Sequence, residues 1–222
     1  MNTARVAFWL ALIGMVPSLA IGFLHAEPGR TDDRLDGVDA TAMVESNYSV
    51  SSTNGEPGYH LRSKNVPKKI SEQDLLEKKK LTLVAFPEPV LRYRPHLQGI
   101  RITVVNASND IVRILALDSR IPIIQEAQDA AGNWKPIEFF NWQTDCGNSF
   151  HKTSLEPAHY WELVAPRYAG SLKTKLRFAL LSPDQREKPI YSNEFDGTIR
   201  PDQFTRKPGE WKPVNFDPPR QP

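Results

Sequence analysis

The chain contains only one cysteine among its 222 residues, so no disulfide can form within it. The fold must therefore be stabilised by an apolar core. An excess of charge of one sign is also lacking, because 28 Lys and Arg stand against 26 Asp and Glu, for a net charge of +2. Nucleic-acid-binding proteins usually carry a strong basic excess or a basic stripe, and neither occurs here. We therefore expect no nucleic-acid partner.

Motifs of common enzymes are absent as well. The sequence has no Gly-rich strand-to-helix loop for phosphate, no GxSxG motif and no HExxH motif. Serine, histidine and acidic residues are present, but no spacing pairs a nucleophile with a base. The sequence therefore predicts a protein that is not an enzyme and uses no cofactor, with an enzyme of unrecognised type as an alternative.

The N-terminus carries a clear targeting signal. Residues 1–26 combine a short basic start at Arg5, an apolar run over Val6–Leu24 and a small residue, Ala26, at a plausible cleavage point. This layout is typical of a secretory signal peptide. Proline and glycine weaken the run as a permanent helix, so we expect cleavage, with retention as an anchor as the alternative. The predicted location is periplasmic or secreted, with no membrane contact unless the segment is retained.

Three further regions lack a sustained apolar periodicity. Residues 27–66 are polar, with scattered Ser, Thr, Asn and Gly, and are predicted to be a disordered linker. Residues 67–80 fit a short helix, because Ser71 and Asp74 form a capping pattern. Residues 205–222 are rich in proline and are predicted to be a disordered tail.

Residues 81–204 consist of short alternating segments separated by turn residues. In SLKTKLRFALL, Leu176 and Phe178 share one face, while Lys173 and Lys175 point the other way. This period of two is typical of a β-strand with one buried face. About seven or eight such strands in roughly 120 residues predict an all-β fold, an antiparallel β-sandwich.

The last third of this region resembles a known class of domain. Leu155-x-Pro157, then Tyr160-Trp-Glu-Leu163, then the LRFALL strand are similar to the late strands of immunoglobulin-like domains in exported bacterial proteins. The resemblance implies an immunoglobulin-like β-sandwich. It implies no particular function, because one fold hosts many functions.

The stretch NWQTDCGNSFHKT holds the only cysteine, Cys146, and His151 five positions later. Its turn residues, Gly147 and Asn148, predict a loop at the rim of the sandwich. Thiolate and imidazole are good ligands for copper or zinc. The stretch is therefore a candidate metal site, and the alternative is a free cysteine beside a histidine that packs or caps a turn.

The spacing Cys146-x4-His151, followed by Leu155, is similar to the copper loop of cupredoxins, which are exported β-sandwiches. That resemblance implies a further histidine ligand from much earlier in the chain, for which His96 is the candidate. His159 is a second candidate, because it follows soon after the loop. A copper or zinc protein is therefore an alternative function.

Aromatic residues recur at Trp134, Phe140 and Trp142. Exposed aromatic platforms bind sugars or partner proteins, because a flat apolar ring with a polar tip stacks well. The alternative is that these side chains fill the core. The function predicted from the sequence is an exported binding or structural module whose partner is a protein or a carbohydrate.

Overall fold

The computed structural model describes residues 35–52, 63–70, 80–143, 149–183 and 187–205. The strands in this part of the chain are, in order, β1 Val38–Asp39, β2 Val44–Glu45, β3 Tyr48–Ser49, β4 Lys68–Lys69, β5 Leu81–Arg94, β6 Leu97–Asn106, β7 Val112–Leu117, β8 Arg120–Ile121, β9 Ile123–Gln128, β10 Trp134–Pro136, β11 Glu138–Phe139, β12 Phe150–Leu155, β13 His159–Pro166, β14 Tyr168–Ala169, β15 Leu172–Leu180, β16 Ile190–Tyr191 and β17 Phe195–Ile199. A short 3-10 helix follows at Pro201–Phe204. The predicted all-β fold is confirmed.

The first large sheet has the strand order β4-β13-β6-β5, and all its pairs are antiparallel. Its edge strand β5 loses register with β6 between Phe86 and Leu91, where Pro87 and Pro89 cannot donate backbone hydrogen bonds. Prolines and register shifts of this kind protect an edge strand from pairing with another chain.

A side chain covers the same edge of β5 just before this register shift. The Oδ1 atom of Asn193 accepts a hydrogen bond from the Ala85 N–H at 2.8 Å, and its Nδ2 donates to the Ala85 carbonyl at 3.1 Å. The amide therefore takes the place of a neighbouring strand at this position.

Two further sheets share a continuous segment of chain. One has the order β12-β7-β8-β3, and the other has the order β10-β9-β15-β16, with β17 also paired to β15. Only Pro122 separates β8 from β9, so the chain passes directly from one sheet into the next. The carbonyl of Pro122 accepts a hydrogen bond from Leu181 N–H at 2.8 Å, which continues the β15 pairing across this junction.

Buried side chains from these three sheets form one apolar cluster, which includes Ile102, Ile121, Trp161 and Phe178. The alternation predicted for β15 is confirmed, because its apolar face is buried in this cluster while Lys173 and Lys175 are exposed. The apolar face of each strand therefore packs into a shared core, as a period of two requires.

The linker prediction for residues 27–66 is wrong over Leu35–Ser52, a segment that we call the N-terminal strap. In it, β1 pairs parallel with β14, β2 pairs parallel with β11, and β3 pairs antiparallel with β8. Tyr48 and Val50 are buried in the main core. Residues 63–66 also contact the domain, since the Asn65 side chain donates to the Glu162 carbonyl at 2.9 Å. The strap is ordered by short backbone pairs together with apolar side chains scattered among polar ones, since Ala40 is also buried and Val38 and Val44 pack against the core.

The predicted rim loop and the predicted helix 67–80 also differ from the structure in the residues that it describes. Phe150–Thr153 belong to strand β12 and not to a rim loop, because they pair with β7 from Phe150↔Leu117 onward. Within the predicted helix 67–80, Lys68–Lys69 form β4, and residues 71–79 lie outside the described residues. Residues 1–26, the predicted signal peptide, and residues 206–222 also lie outside them. No helix that could cross a bilayer occurs in the part of the chain that the structure describes.

Candidate functional site

An arginine between two aromatic rings lies on one face of the sheet β10-β9-β15-β16. The guanidinium carbon of Arg177 is 4.1 Å from the ring centroid of Trp134 and 3.7 Å from that of Tyr191. Glu126 holds the same guanidinium, because its Oε2 accepts from Nε at 2.8 Å and lies 2.7 Å from Nη2. We call Trp134, Arg177, Tyr191 and Glu126 the aromatic–arginine stack.

Strand register explains why these four side chains meet. Arg177 on β15 lies directly opposite Glu126 on β9, and opposite charges in such a cross-strand pair attract. Trp134 lies opposite Gln128, and Tyr191 lies opposite Ala179, so each ring is two residues from the ion pair along its neighbouring strand. Diagonal neighbours of this kind are within reach of aromatic and long side chains.

The stack lies on the face of the sheet that points away from the main core. On β9, Ile123 and Ala127 belong to the core cluster, whereas Glu126 alternates with them and faces outward. The Arg177 and Glu126 side chains are only 16% and 14% exposed, while Tyr191 is 43% exposed. The ion pair is therefore held in one geometry beneath an accessible aromatic rim, and the rings add cation–π attraction.

A second, smaller apolar group adjoins the stack on the same face. It comprises Leu117, Ile124, Phe140 and Ala179, with Trp142, Phe150 and Leu181 packed against it. The rings of Phe140 and Trp142 are 4.6 Å apart at an angle of 63°. We call this group the outer apolar cluster.

The three predicted ligand-binding aromatics therefore have different positions. Trp134 is half-buried in the stack, Trp142 is half-buried at the border of the outer apolar cluster, and Phe140 is buried within that cluster, only 3% exposed. Phe140 consequently supports the surface from below and offers little area to a partner. Arg177 and Tyr191 were not among the predicted ligand-binding residues, because the contacts of Arg177 with Trp134 and Tyr191 depend on the pairing of four strands that the linear sequence does not specify.

Two of the predicted metal ligands, His151 and His159, lie on strands of different sheets. Cys146 lies outside the described residues. His151 is on β12, where its Nδ1 is 3.2 Å from the Ser149 carbonyl, and His159 begins β13, where its Nδ1 is 2.8 Å from the Pro157 carbonyl. Strands β12 and β13 belong to different sheets.

His96 and His159 do not converge on one metal. His96 lies in the turn before β6, whereas His159 pairs with Asn106 at the opposite end of that strand. A strand of this length separates its ends by roughly 30 Å. Among the described residues, no group of three or more His, Cys, Asp or Glu side chains is placed to hold a metal ion. Metal binding at Cys146 and His151 stays a prediction.

A buried carboxyl group is the second unusual feature of the described chain. Glu138 on β11 is 1% exposed and accepts three hydrogen bonds: from Tyr48 Oη at 2.9 Å, from Tyr168 Oη at 2.8 Å and from the Gln125 N–H at 2.9 Å. Burial raises the pKa of Glu138 to about 7, although the three donors oppose that rise. Burial likewise raises the pKa of both tyrosines.

Comparisons with known proteins identify no relative, since no family model, no curated protein and no solved structure matches this chain. The fold and the surface define it only as a mainly antiparallel all-β protein that carries a preformed aromatic–arginine stack on the outer face of one sheet.

Proposed function

We propose that this protein is an exported, non-enzymatic binding module that contacts a partner protein through the outer face of the β10-β9-β15-β16 sheet. The observation that carries the proposal is the position of Arg177 between Trp134 and Tyr191, with its charge paired to Glu126. The immunoglobulin-like identity of the sandwich and a periplasmic or secreted location are parts of the same proposal. The apolar N-terminal run of residues 1–26 supports export.

The composition of the stack favours a protein partner. Trp, Tyr and Arg are the residues most enriched among those that dominate the energy of protein interfaces. Here the rings and the ion pair already restrict the long Arg177 side chain, so binding would cost less of its conformational entropy. An interface core also needs neighbouring apolar support, and the outer apolar cluster adjoins the stack.

A carbohydrate partner fits the stack less well. Sugar rings stack on open aromatic faces, but the Arg177 guanidinium already covers one face of Trp134 and one face of Tyr191. The rings therefore offer their remaining faces, their edges and the tyrosine hydroxyl, which suits irregular protein side chains better than a flat saccharide.

Site-specific photo-crosslinking tests this proposal. A photoreactive amino acid replaces Tyr191 in the full chain expressed in its native host, and the same replacement at the exposed Val66 serves as the control. We expect a discrete protein adduct from position 191 and none from position 66. The substitution Trp134→Ala should abolish the adduct, whereas Lys173→Ala on the same strand should preserve it, with circular dichroism confirming that both variants fold.

Two outcomes would contradict the proposal. An adduct that survives Trp134→Ala would show that the stack does not form the interface. Binding of the purified protein to an immobilised glycan, lost in Trp134→Ala, together with no protein adduct, would establish the carbohydrate alternative instead.

A further inference from the structure

We propose that Glu138 is a pH-sensitive clamp on the N-terminal strap, so that the strap is held firmly in mildly acidic solution and loosens in mildly alkaline solution. The group belongs to neither the aromatic–arginine stack nor the outer apolar cluster. It is therefore independent of the proposed function.

The hydrogen bonds of Glu138 connect the strap to the domain. One donor, Tyr48, belongs to the strap itself. A second donor, Tyr168, lies on β14 directly opposite Val38, the first residue of β1 in the strap. The third donor is the backbone of Gln125 in β9. Strand β11, which carries Glu138, also pairs with β2 of the strap. The carboxyl group is therefore next to all three strands of the strap: β3 through Tyr48, β1 through Tyr168 and β2 through β11.

No positive charge among the described residues compensates an ionised Glu138. The titratable groups that face it are Tyr48 from β3 and Tyr168 from β14, and both are neutral phenols because burial raises the pKa of each hydroxyl. From β9, the carboxylate meets only the N–H of Gln125. A buried carboxylate that is solvated by neutral dipoles alone still loses most of its hydration energy.

The protonated form is better accommodated in this position. A phenol oxygen both donates and accepts, so a proton on Oε1 of neutral Glu138 has an acceptor in the Tyr168 hydroxyl, which lies 2.8 Å from that oxygen. The N–H of Gln125 can remain on the other carboxyl oxygen. The neutral acid thus keeps its partners without the cost of a buried charge, which is why burial raises the pKa of Glu138.

Opening of the strap relieves the buried charge. When the strap detaches, Tyr48 leaves and water reaches Glu138, so the open state favours the ionised carboxylate more than the closed state does. Opening therefore becomes more favourable as the pH rises through the folded-state pKa of about 7. The strap is the element that can respond, because each of its strand pairs with the domain is only two residues long.

Hydrogen exchange of three strap amides tests the clamp in the full chain. The N–H groups of Val44, Ser46 and Val50 donate to carbonyls of the domain at 3.2, 2.9 and 2.9 Å, so each reports closure of the strap. After correction for intrinsic exchange rates, we expect their protection to fall at least about tenfold between about pH 5 and about pH 8. Amides in the middle of β6 should show a smaller change.

Two variants distinguish the clamp from a general effect of pH. Glu138→Gln removes the titrating proton and should make the protection of the strap nearly independent of pH, whereas Glu162→Gln on the exposed face of β13 should behave like the wild type. If Glu138→Gln does not fold, Tyr48→Phe provides the test. Losing one donor to the carboxylate should reduce strap protection more at about pH 8 than at about pH 5. Equal protection at both pH values in the wild type, or equal loss in Tyr48→Phe, would overturn the proposal.

Discussion

Glu138 also predicts how the global stability of the protein depends on pH. The folded-state pKa of about 7 exceeds the ordinary value of 4.5, so the folded protein binds the proton more tightly than the unfolded chain does. The resulting stabilisation is fully present below the unfolded-state pKa of 4.5 and is lost as the pH rises through about 7. The difference of about 2.5 pKa units corresponds to about 3 kcal/mol.

The perturbation that isolates this contribution is Glu138→Gln, measured by urea unfolding of the full chain. Other groups also titrate, so the relevant quantity is the wild-type unfolding free energy minus that of the variant, at each pH. We expect this difference to be larger at about pH 5 than at about pH 8 by about 2.5 kcal/mol, with similar urea m-values for both proteins. The absolute cost of the substitution is irrelevant to this comparison.

Parallel pH profiles for the wild type and Glu138→Gln would refute the reasoning, because they would show that the carboxyl group does not change its protonation on unfolding in this range. The global result and the strap result are separable. If Glu138→Gln alters the global pH dependence while strap protection stays constant with pH, Glu138 titrates as described but the strap is not the element that opens.

Two further substitutions test the sheets. Leu176→Asp should unfold the domain, because a carboxylate at a position that is 2% exposed costs several kcal/mol, whereas Lys175→Asp on the solvent face should cost about 1 kcal/mol or less. Comparable thermal melts for the two variants, followed by circular dichroism, would mean that the faces of β15 are misassigned. Asn193→Ala should leave the backbone of β5 uncapped and cost about 1–2 kcal/mol. Light scattering should also show more self-association for Asn193→Ala than for Asn193→Gln, because the glutamine keeps an amide that can cover this edge.

The strands of the central domain could be predicted because their signal is local. On β15 and β6, apolar residues alternate with polar ones, and this period of two requires only the two faces of a pleated strand. The turns between them carry Gly, Asn, Asp or Pro, whose backbone preferences act over a few residues. No long-range information is needed for such inferences.

The candidate site could be predicted only in part. Trp134 was identified from its residue type, but the alternation of β15 places Arg177 on the same face as Lys173 and Lys175, which indicates only exposure to solvent. Arg177 on β15 follows Trp134 on β10 by more than forty residues, and Tyr191 is on a third strand, β16. Only the register of the assembled sheet therefore reveals these contacts. The buried carboxyl group of Glu138 was missed for the same reason, because its donors Tyr48 and Tyr168 come from distant segments.

The sequence by itself determined the all-β class, the position of most strands and which face of β15 is buried, because hydrophobic periodicity acts within each strand. The tertiary structure alone decided that the segment Leu35–Ser52 joins the fold, since its attachment combines short backbone pairs with apolar side chains, such as Val38, Tyr48 and Val50, that are scattered among polar residues. Backbone groups are the same in every residue, so pairing that relies on them leaves little trace in the amino-acid pattern.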